Sequence, residues 1–421
     1  MADGRLRFWR AVGLATAVGL ALRLLFGLSY WTGKPLTRDE REYLSLARSI
    51  AAGDGVVYDA AFTGSSTAPF SRAPAYPAFL ALVGGGRAPV EEVPVPVKIA
   101  QAIVGMAGIV LVALFARRIG GPAAGVAGAW LAAAYPPLVW ISAYAFSEAL
   151  FWPMGLAAAW YFSCAVAPEA DRPAARLFAV GLLAGAAVLV RPAMLLFLLL
   201  AAVWLLWWRR AVGLTIALAC GAMLVVLPWT ARNYTRFHRV VLVAAEGGVT
   251  FWTGNHPLAR GEGDFASNPD IHVASEALAA SHPAATQEEL ESIYYRDALH
   301  WIGAHPLAWL GLEVRKVFYL IVPIGPSYTL HNAAYRWASV CAYGLFLPLG
   351  VIGFLRAGAR SSAAPGLWLL VGSSVLVSLL FFPQERFRIP IVDPALVIGA
   401  ALFASGLAGR LAAGAGHRRS V

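Results

Sequence analysis

Long apolar runs constrain this fold more than any other feature of the sequence. Segments 11–22, 99–116 and 193–208 contain no charged residue, and they approach the roughly 20 apolar residues that cross about 30 Å of hydrocarbon. Only 13% of the residues are charged, whereas a soluble domain has about 25%. The sequence therefore predicts an all-α protein that crosses a membrane several times, rather than a soluble core.

Windowed hydropathy predicts about ten spans. A single helix over 174–208 would be about 50 Å long, too long for one crossing, and Arg191-Pro192 interrupts it. We therefore predict two short spans joined at the outer face. The first apolar stretch follows three arginines but lacks a small-residue cleavage site, so we predict an uncleaved span. The predicted spans cover approximately 11–31, 97–116, 122–141, 147–166, 174–190, 192–208, 211–231, 335–356, 364–382 and 389–409.

Basic residues next to the spans predict the orientation. Arginines that flank spans set topology by facing the cytoplasm, and one large set of flanking arginines does so throughout when both termini are cytoplasmic. They include Arg5, Arg7, Arg10, Arg117, Arg118, Arg172, Arg176, Arg209, Arg210, Arg356 and Arg360. The net charge of +10 therefore reflects topology, and no solvated basic stripe predicts nucleic-acid binding. The three cysteines lie in apolar runs and predict neither disulfides nor a zinc site.

Two long loops, 32–96 and 232–334, fall on the outer side. In the first, residues 38–50 form an amphipathic pattern that ends at Gly53 and predicts an interfacial helix. In the second, Thr286 and Glu289 predict a capping box, and a further helix is expected from Pro306. We predict one membrane domain over 1–421, without a separate soluble C-terminal domain.

Asp39 and Glu40 are the first candidates for chemistry, because neighbouring carboxylates near an apolar surface can gain pKa values suited to a general base. The alternative is a helix N-terminus, where acids favourably meet the helix dipole. Glu148, at the outer start of a span, could face the same cavity or simply begin its helix. Arg191, between two apolar runs, must snorkel, pair or bind an anion.

Lys316, Arg386 and Arg388 are cations on the outer side, against the positive-inside trend. Such cations fit an anionic ligand such as a lipid phosphate. The alternative is simple pairing with Glu313 or Glu385. The histidines show no metal-ligand spacing, and no phosphate-binding glycine loop is present. Any activated donor would therefore come from the membrane.

A set of motifs in fixed order resembles the GT-C membrane glycosyltransferases, specifically the bacterial family related to protein O-mannosyltransferases and to the lipid A aminoarabinose transferase. The resemblance covers nearly the whole chain, although larger relatives carry a C-terminal soluble domain, which leaves acceptor recognition open. The motifs are Asp39-Glu40 with Tyr43, Ala47 and Gly53; Arg72 to Phe79; Ser147-Glu148; Arg191-Pro192; Pro228-Trp229 with Arg232-Asn233-Tyr234; Gly254-Asn255; and Arg386 to Pro390.

This resemblance implies an inverting transfer of a sugar from a polyprenyl-phosphate donor to a lipid, glycan or protein acceptor, outside the bacterial cytoplasmic membrane. It implies a catalytic role for Asp39, with Glu40 and Glu148 beside it. Donor-phosphate contacts are expected from Arg72, Arg191, Lys316, Arg386 and Arg388, and sugar or acceptor contacts from Tyr43, Tyr76, Asn255 and Trp252. No metal ligand is assigned, and a divalent cation at the acidic pair is left open.

Three other functions stay open on the sequence. A lipid-linked sugar flippase would move the donor without chemistry, but it predicts charges at mid-membrane, whereas the candidates here cluster at one face. A non-catalytic assembly subunit would tolerate replacement of Asp39. A polymerase or ligase that uses undecaprenyl-diphosphate glycans would also act at the outer face.

Overall fold

The computed structural model describes residues 2–58, 72–87, 91–238, 240–263, 265–326 and 332–417. Within these ranges all regular elements are helices, which confirms the predicted fold class. The helices are α1 (Ala2–Leu25, continued by a π-helical turn Phe26–Tyr30), α2 (Arg38–Ala52), α3 (Ala75–Leu82), α4 (Val95–Gly120), α5 (Pro122–Ala134), α6 (Pro136–Trp140), α7 (Glu148–Ala165), α8 (Pro173–Val190), α9 (Met194–Trp207), α10 (Val212–Phe237), α11 (Gly247–Gly254), α12 (Pro269–Ala280), α13 (Gln287–Ala304), α14 (Pro306–Ile321), α15 (Ala333–Ala357), α16 (Pro365–Leu380), α17 (Glu385–Arg388) and α18 (Val392–His417).

Each predicted span contains a helix, and the break at Arg191-Pro192 falls between α8 and α9. Among the described residues, 5 helices are long and apolar enough to cross a membrane, or up to 6 if α5 and the helical turns after it, bent by 63°, form one span. The chain is therefore a multi-pass membrane protein. The count of ten spans stays a prediction, because several apolar helices are short, α9 and α16 among them.

Small residues bring the membrane helices into close contact. A Cβ atom on Gly181 of α8 would lie 2.2 Å from the carbonyl oxygen of Leu218, and one on Gly221 of α10 would lie 2.1 Å from that of Phe178. Backbones that approach this closely gain dispersion contacts where the bilayer supplies no hydrophobic driving force. Helices α8 and α10 are therefore in backbone contact with each other.

The helix of the first long loop, α2, packs onto one end of the bundle. A capping box of Thr37 and Glu40 begins it, and Gly53, with a φ of +89°, ends it as predicted. Leu44 and Leu46 are fully buried, and the hydroxyl of Tyr43 donates to Ser147 Oγ at 3.2 Å. This face positions the acidic first turn of α2 over α7.

Helices α11 to α14 form an external subdomain with its own small core. That core contains Trp252, Ala259, Ile271, Tyr294, Ala298 and Leu312. The predicted capping box of Thr286 and Glu289 begins α13, and α14 begins at Pro306 as expected. A Cβ atom on Gly254 would lie 1.8 Å from the carbonyl oxygen of Phe381. Glycine therefore lets the end of α11 abut the end of α16.

Candidate active site

Asp39 lies in the first turn of α2 and is ion-paired with two arginines. Its Oδ1 atom accepts a hydrogen bond from Arg72 Nη2 at 2.8 Å, and its Oδ2 atom is 2.7 Å from Arg386 Nη1. Burial alone would raise the pKa of Asp39, but the charges and hydrogen bonds of Arg72 and Arg386 hold it well below its usual range. Asp39 is therefore an ionised carboxylate whose two oxygens are both occupied by cations.

Glu148 lies in the first turn of α7 and shares Arg386 with Asp39. Its Oε1 atom is 3.1 Å from Arg386 Nε and 2.7 Å from Arg191 Nη1. Arg191 also donates to Ser147 Oγ at 2.9 Å. The side chain of Glu148 is only 1% exposed, so the two arginines balance a buried charge. The structure thus joins four predicted site residues, Asp39, Glu148, Arg191 and Arg386.

Arg72 joins two further acids to the cluster, and neither Glu42 nor Glu246 was assigned a role from the sequence. Arg72 Nη2 is 2.5 Å from Glu42 Oε2, and its Nη1 atom is 3.1 Å from Glu246 Oε2. Its guanidinium also lies 5.2 Å from the ring centroid of Tyr43. Arg72 is therefore held by three carboxylates, one of which comes from the second outer loop.

The outer end of α10 brings Glu246 to the site. Trp229 Nε1 donates to the carbonyl oxygen of Val243 at 2.8 Å, and Asn233 Nδ2 donates to that of Val241 at 3.1 Å. Both donors belong to the motif that follows Pro228 in the sequence. Side-chain donors that satisfy backbone carbonyls fix the path of an irregular segment. This motif therefore sets the course of the chain that ends at Glu246.

The rings of Tyr43 and Tyr76 pack against each other next to Arg72. Their rings meet edge to face with centroids 4.9 Å apart. Tyr76 is fully buried and donates to Gln101 Oε1 at 2.6 Å. Tyr43 is buried as well, but its ring lies next to the Arg72 guanidinium, so Tyr43 is the ring nearer the charged cluster.

The carboxylate of Glu40 accepts hydrogen bonds from the start of its own helix and from the turn before α7. Its Oε2 atom accepts from the N–H and hydroxyl of Thr37 at 2.8 and 2.9 Å, and its Oε1 atom accepts from the N–H of Ala145 at 3.0 Å. Burial raises the pKa of Glu40, against the hydrogen bonds that lower it. These contacts match the helix-start alternative and tie α2 to the turn before α7; a catalytic role for Glu40 stays untested.

Lys316 and Asn255 lie together in the external subdomain, where they contact α16. Lys316 Nζ donates to Asn255 Oδ1 at 3.1 Å, to Glu313 Oε1 at 2.6 Å and to the carbonyl oxygen of Leu379 at 2.7 Å. Lys316 is fully buried, so its three N–H donors are all used. Trp252 is 1% exposed and forms part of the subdomain core. The pairing with Glu313, one of the two alternatives, is what the structure shows.

Arg388, the last residue of α17, pairs with buried groups of the bundle. Its Nε atom is 3.2 Å from Asp393 Oδ1, and its Nη2 atom donates to Ser339 Oγ at 3.2 Å. Ser339 also donates to Glu385. Burial raises the pKa of Glu385 to about 7, against the opposing effects of Arg388 and Ser339. Arg388 therefore fixes α17, the helix from which Arg386 reaches Asp39.

The acidic pair does not fit a divalent cation. Within the described ranges, no group of three or more histidine, cysteine, aspartate or glutamate side chains is placed to hold a metal ion. Both oxygens of Asp39 are paired with arginines, and both oxygens of Glu40 accept hydrogen bonds from Thr37 and Ala145. We therefore derive no chemical step through a metal.

Comparison with known proteins agrees with this architecture. The family model described as dolichyl-phosphate-mannose-protein mannosyltransferase matches residues 77–231, a stretch that contains Glu148 and Arg191. No curated protein matches the chain.

Several solved structures are similar to this chain. The oligosaccharyltransferase AglB of Archaeoglobus fulgidus, in complex with an inhibitory peptide and a dolichol-phosphate, is 15% identical with a TM-score of 0.58, over 99% of this chain and 52% of AglB. The same organism's enzyme, tethered to an acceptor peptide, is 16% identical with a TM-score of 0.59, over 96% of this chain and 50% of its own. ArnT of Cupriavidus metallidurans, bound to undecaprenyl phosphate, is 14% identical with a TM-score of 0.44, over 94% of this chain and 78% of ArnT.

These matches confirm the predicted resemblance to the GT-C glycosyltransferases related to protein mannosyltransferases. The fold of this chain is the GT-C membrane fold. The chain spans about half the length of the oligosaccharyltransferase structures that it matches. The matches therefore show the fold of this chain, and its activity, substrates and acceptor are proposed below.

Proposed function

We propose that this protein is an inverting glycosyltransferase that moves a sugar from a polyprenyl-phosphate donor to an acceptor hydroxyl at the outer face of the cytoplasmic membrane. The observation that carries the proposal is Arg386, which is ion-paired with Asp39 and Glu148 together. This cluster places carboxylates and cations side by side at one end of the membrane bundle. The fold shared with AglB, whose structure contains a dolichol-phosphate, agrees with a lipid-linked donor.

The chemistry assigns opposite roles to the acid and the cations. The acceptor oxygen attacks the anomeric carbon while Asp39 takes its proton. On the opposite face, the bond from the anomeric carbon to the phosphate oxygen breaks, and polyprenyl phosphate leaves with the electron pair. Arg386 and Arg191 stabilise the charge that develops on the phosphate, as preorganised cations do in a water-poor site. Attack opposite the leaving group inverts the anomeric configuration.

Donor binding would also make Asp39 a better base. In the ligand-free arrangement, Arg386 and Arg72 hold the pKa of Asp39 well below its usual range despite burial, which makes the carboxylate a weak proton acceptor. A donor phosphate competes with Asp39 for Arg386, because a guanidinium binds phosphate and carboxylate through the same N–H groups. The pKa of Asp39 then rises as the donor binds, so that proton transfer follows donor binding.

The remaining predicted residues support this centre. Glu148 Oε1 contacts both Arg191 and Arg386, so it holds the two guanidinium groups next to each other. Arg72 orients Asp39 through Oδ1. We assign Lys316, Asn255 and Arg388 to the scaffold, since their polar atoms are bonded to other buried groups.

The test is release of polyprenyl phosphate by the purified protein in proteoliposomes. The donors are a panel of polyprenyl-phosphate hexoses and pentoses, with an extract of envelope lipids, glycans and proteins as acceptor. The proposal expects free polyprenyl phosphate and a product of inverted anomeric configuration. Donor that crosses the bilayer unchanged, with no polyprenyl phosphate formed from any member of the panel, would favour the flippase instead.

A further inference from the structure

Glu246 is a carboxylate of the site that takes no part in proton transfer by Asp39 or in stabilising the leaving phosphate. On the basis of the proposed function, we propose that Glu246 binds the acceptor, and that its ligand is a pair of neighbouring hydroxyls on a saccharide. Glu246 would hold the acceptor sugar while the hydroxyl that attacks lies at Asp39.

Arg72 places Glu246 next to the base. Its Nη2 atom is 2.8 Å from Asp39 Oδ1, and its Nη1 atom is 3.1 Å from Glu246 Oε2. Two carboxylates that share one guanidinium lie only a few ångströms apart. A molecule bound to Glu246 therefore has its neighbouring atoms within reach of Asp39.

Glu246 is also the most open acid of the cluster. Its side chain is 36% exposed, compared with 24% for Asp39, 8% for Glu42 and 1% for Glu148. It occupies the N-cap position of α11, yet its side chain makes no capping hydrogen bond. Among the described residues, its ion pair is with Arg72 alone. Glu246 thus keeps acceptor capacity for a ligand that comes from solvent.

The position of Glu246 is fixed from two sides. On one side, α10 holds the preceding segment through Trp229 and Asn233. On the other, the N–H of Gly248 donates to Glu291 Oε1 of α13 at 3.0 Å. A Cβ atom on Gly248 would lie 2.3 Å from the carbonyl oxygen of Glu291, so only glycine permits this contact. A carboxylate held this firmly can select a ligand by geometry.

The surroundings of Glu246 favour a sugar. A Cβ atom on Gly247 would lie 2.5 Å from the hydroxyl of Tyr295, which places that hydroxyl beside the residue next to Glu246. The Tyr295 ring lies 5.3 Å from the Phe251 ring, and both are partly exposed. A carboxylate is a pure acceptor with two oxygens, which matches two adjacent hydroxyls, and aromatic rings offer apolar faces beside it. A serine or threonine side chain offers one hydroxyl and uses it in the attack.

The experiment separates acceptor binding from donor chemistry. Wild-type protein, Glu246→Gln and Glu246→Asp are assayed with the donor from the panel that gives the fastest release of polyprenyl phosphate. Acceptors are methyl glycosides of hexoses and pentoses, their monodeoxy analogues, and serine- and threonine-containing peptides. Release in the absence of acceptor, where water takes the sugar, is measured in the same preparations.

Glu246→Gln should raise the acceptor KM about tenfold or more, which is the effect of losing hydrogen bonds to a charged group. Acceptor-free release reports any disturbance of Arg72, which pairs with both Glu246 and Asp39, and it should fall by a clearly smaller factor than transfer does. Glu246→Asp should be intermediate in acceptor KM. With wild-type protein, one monodeoxy glycoside should show a similar loss, and Glu246→Gln should add little to it. The loss with the monodeoxy glycoside is measured on wild-type protein alone, so it does not depend on whether a variant folds.

Two results would overturn the inference. One is transfer by wild-type protein to hydroxyl peptides but to no glycoside. The other is a loss in Glu246→Gln that is as large for acceptor-free release as for transfer. Failure of the proposed function looks different, because wild-type protein then releases no polyprenyl phosphate under any condition.

Discussion

Arg386 and Asp39 form an ion pair in which Nη1 and Oδ2 are 2.7 Å apart. The pair joins the first turn of α2 to α17, which follows α16 near the end of the described chain. Arg386 Nε is also 3.1 Å from Glu148 Oε1, so one guanidinium balances two acids. This arrangement explains how Asp39 stays ionised although it is largely removed from water.

Replacement of Arg386 should therefore remove both phosphate binding and charge balance. Arg386→Gln should lower the rate of polyprenyl phosphate release about 10²- to 10³-fold, the usual cost of losing one group that stabilises developing charge. Arg386→Lys should recover part of that rate, since a lysine keeps the charge but not the two-sided contact. Arg260→Gln is the matched control, because Arg260 is exposed and pairs with Asp270 at 3.3 Å. Equal rates for Arg386→Gln and Arg260→Gln would contradict the assignment.

Glu40 should matter for stability rather than for turnover. Glu40→Ala removes the capping box and the acceptor of the Ala145 N–H, which should cost about 1–3 kcal/mol. Thr37→Ala disturbs the same cap and should lower the apparent melting temperature in detergent in the same direction. Turnover per folded molecule should stay near wild type in both variants. A Glu40→Ala protein that melts normally but releases no polyprenyl phosphate would restore a catalytic role for Glu40.

Lys316 should contribute to the stability of the fold rather than to donor binding. Lys316→Met leaves Asn255 Oδ1 and Glu313 without their buried cation, so we expect a loss of about 2–4 kcal/mol in stability. The donor KM of the folded fraction should not change. Lys34→Met, at an exposed position, is the control for loss of a lysine charge. A raised donor KM with normal thermal stability would instead support the phosphate contact predicted from the sequence.

The stability of the segment around α17 should depend on pH through Glu385. Burial raises the pKa of Glu385 from 4.5 to about 7. The contribution of protonated Glu385 is therefore fully present below pH 4.5 and is lost as the pH rises through about 7. Glu385→Gln mimics the protonated form, so its apparent melting temperature should exceed that of wild type by an amount that grows between about pH 5 and pH 8. Glu91→Gln, at an exposed position, should show no such trend. A difference between Glu385→Gln and wild type that is the same at every pH would contradict the raised pKa of Glu385.

The helices could be predicted from the sequence because their signals are local. Apolar runs, the cap at Thr286 and the proline at 192 act within a few residues, and the helices begin and end near the expected positions. For α2, the sequence predicted an interfacial helix, and the structure shows Leu44 and Leu46 packed fully inside the protein. An amphipathic pattern does not reveal which apolar partner covers its face.

The site could be predicted only in part. Asp39, Glu148, Arg191 and Arg386 were candidates because charges at membrane boundaries are unusual and because their motifs resemble those of the GT-C glycosyltransferases. The structure brings the four side chains together, and their roles stay predictions. Glu246 lies in a segment without periodicity, and its place beside Arg72 depends on hydrogen bonds from α10. The partners of Lys316 and Arg388 include groups far away in the sequence, such as Leu379 and Ser339. No sequence spacing encodes such contacts, although the pairing of Lys316 with Glu313 was one of the stated alternatives.

The central claim is that Asp39 is the base, and single-turnover release of polyprenyl phosphate tests it most directly. Wild type, Asp39→Asn and Glu42→Gln are saturated with donor and mixed with acceptor, and donor affinity is measured in parallel. Glu42 is the matched control because it also binds Arg72. We predict that Asp39→Asn slows release by about 10²- to 10⁴-fold with donor affinity unchanged or tighter, while Glu42→Gln stays within about tenfold of wild type. Release by Asp39→Asn at the wild-type rate would contradict the account.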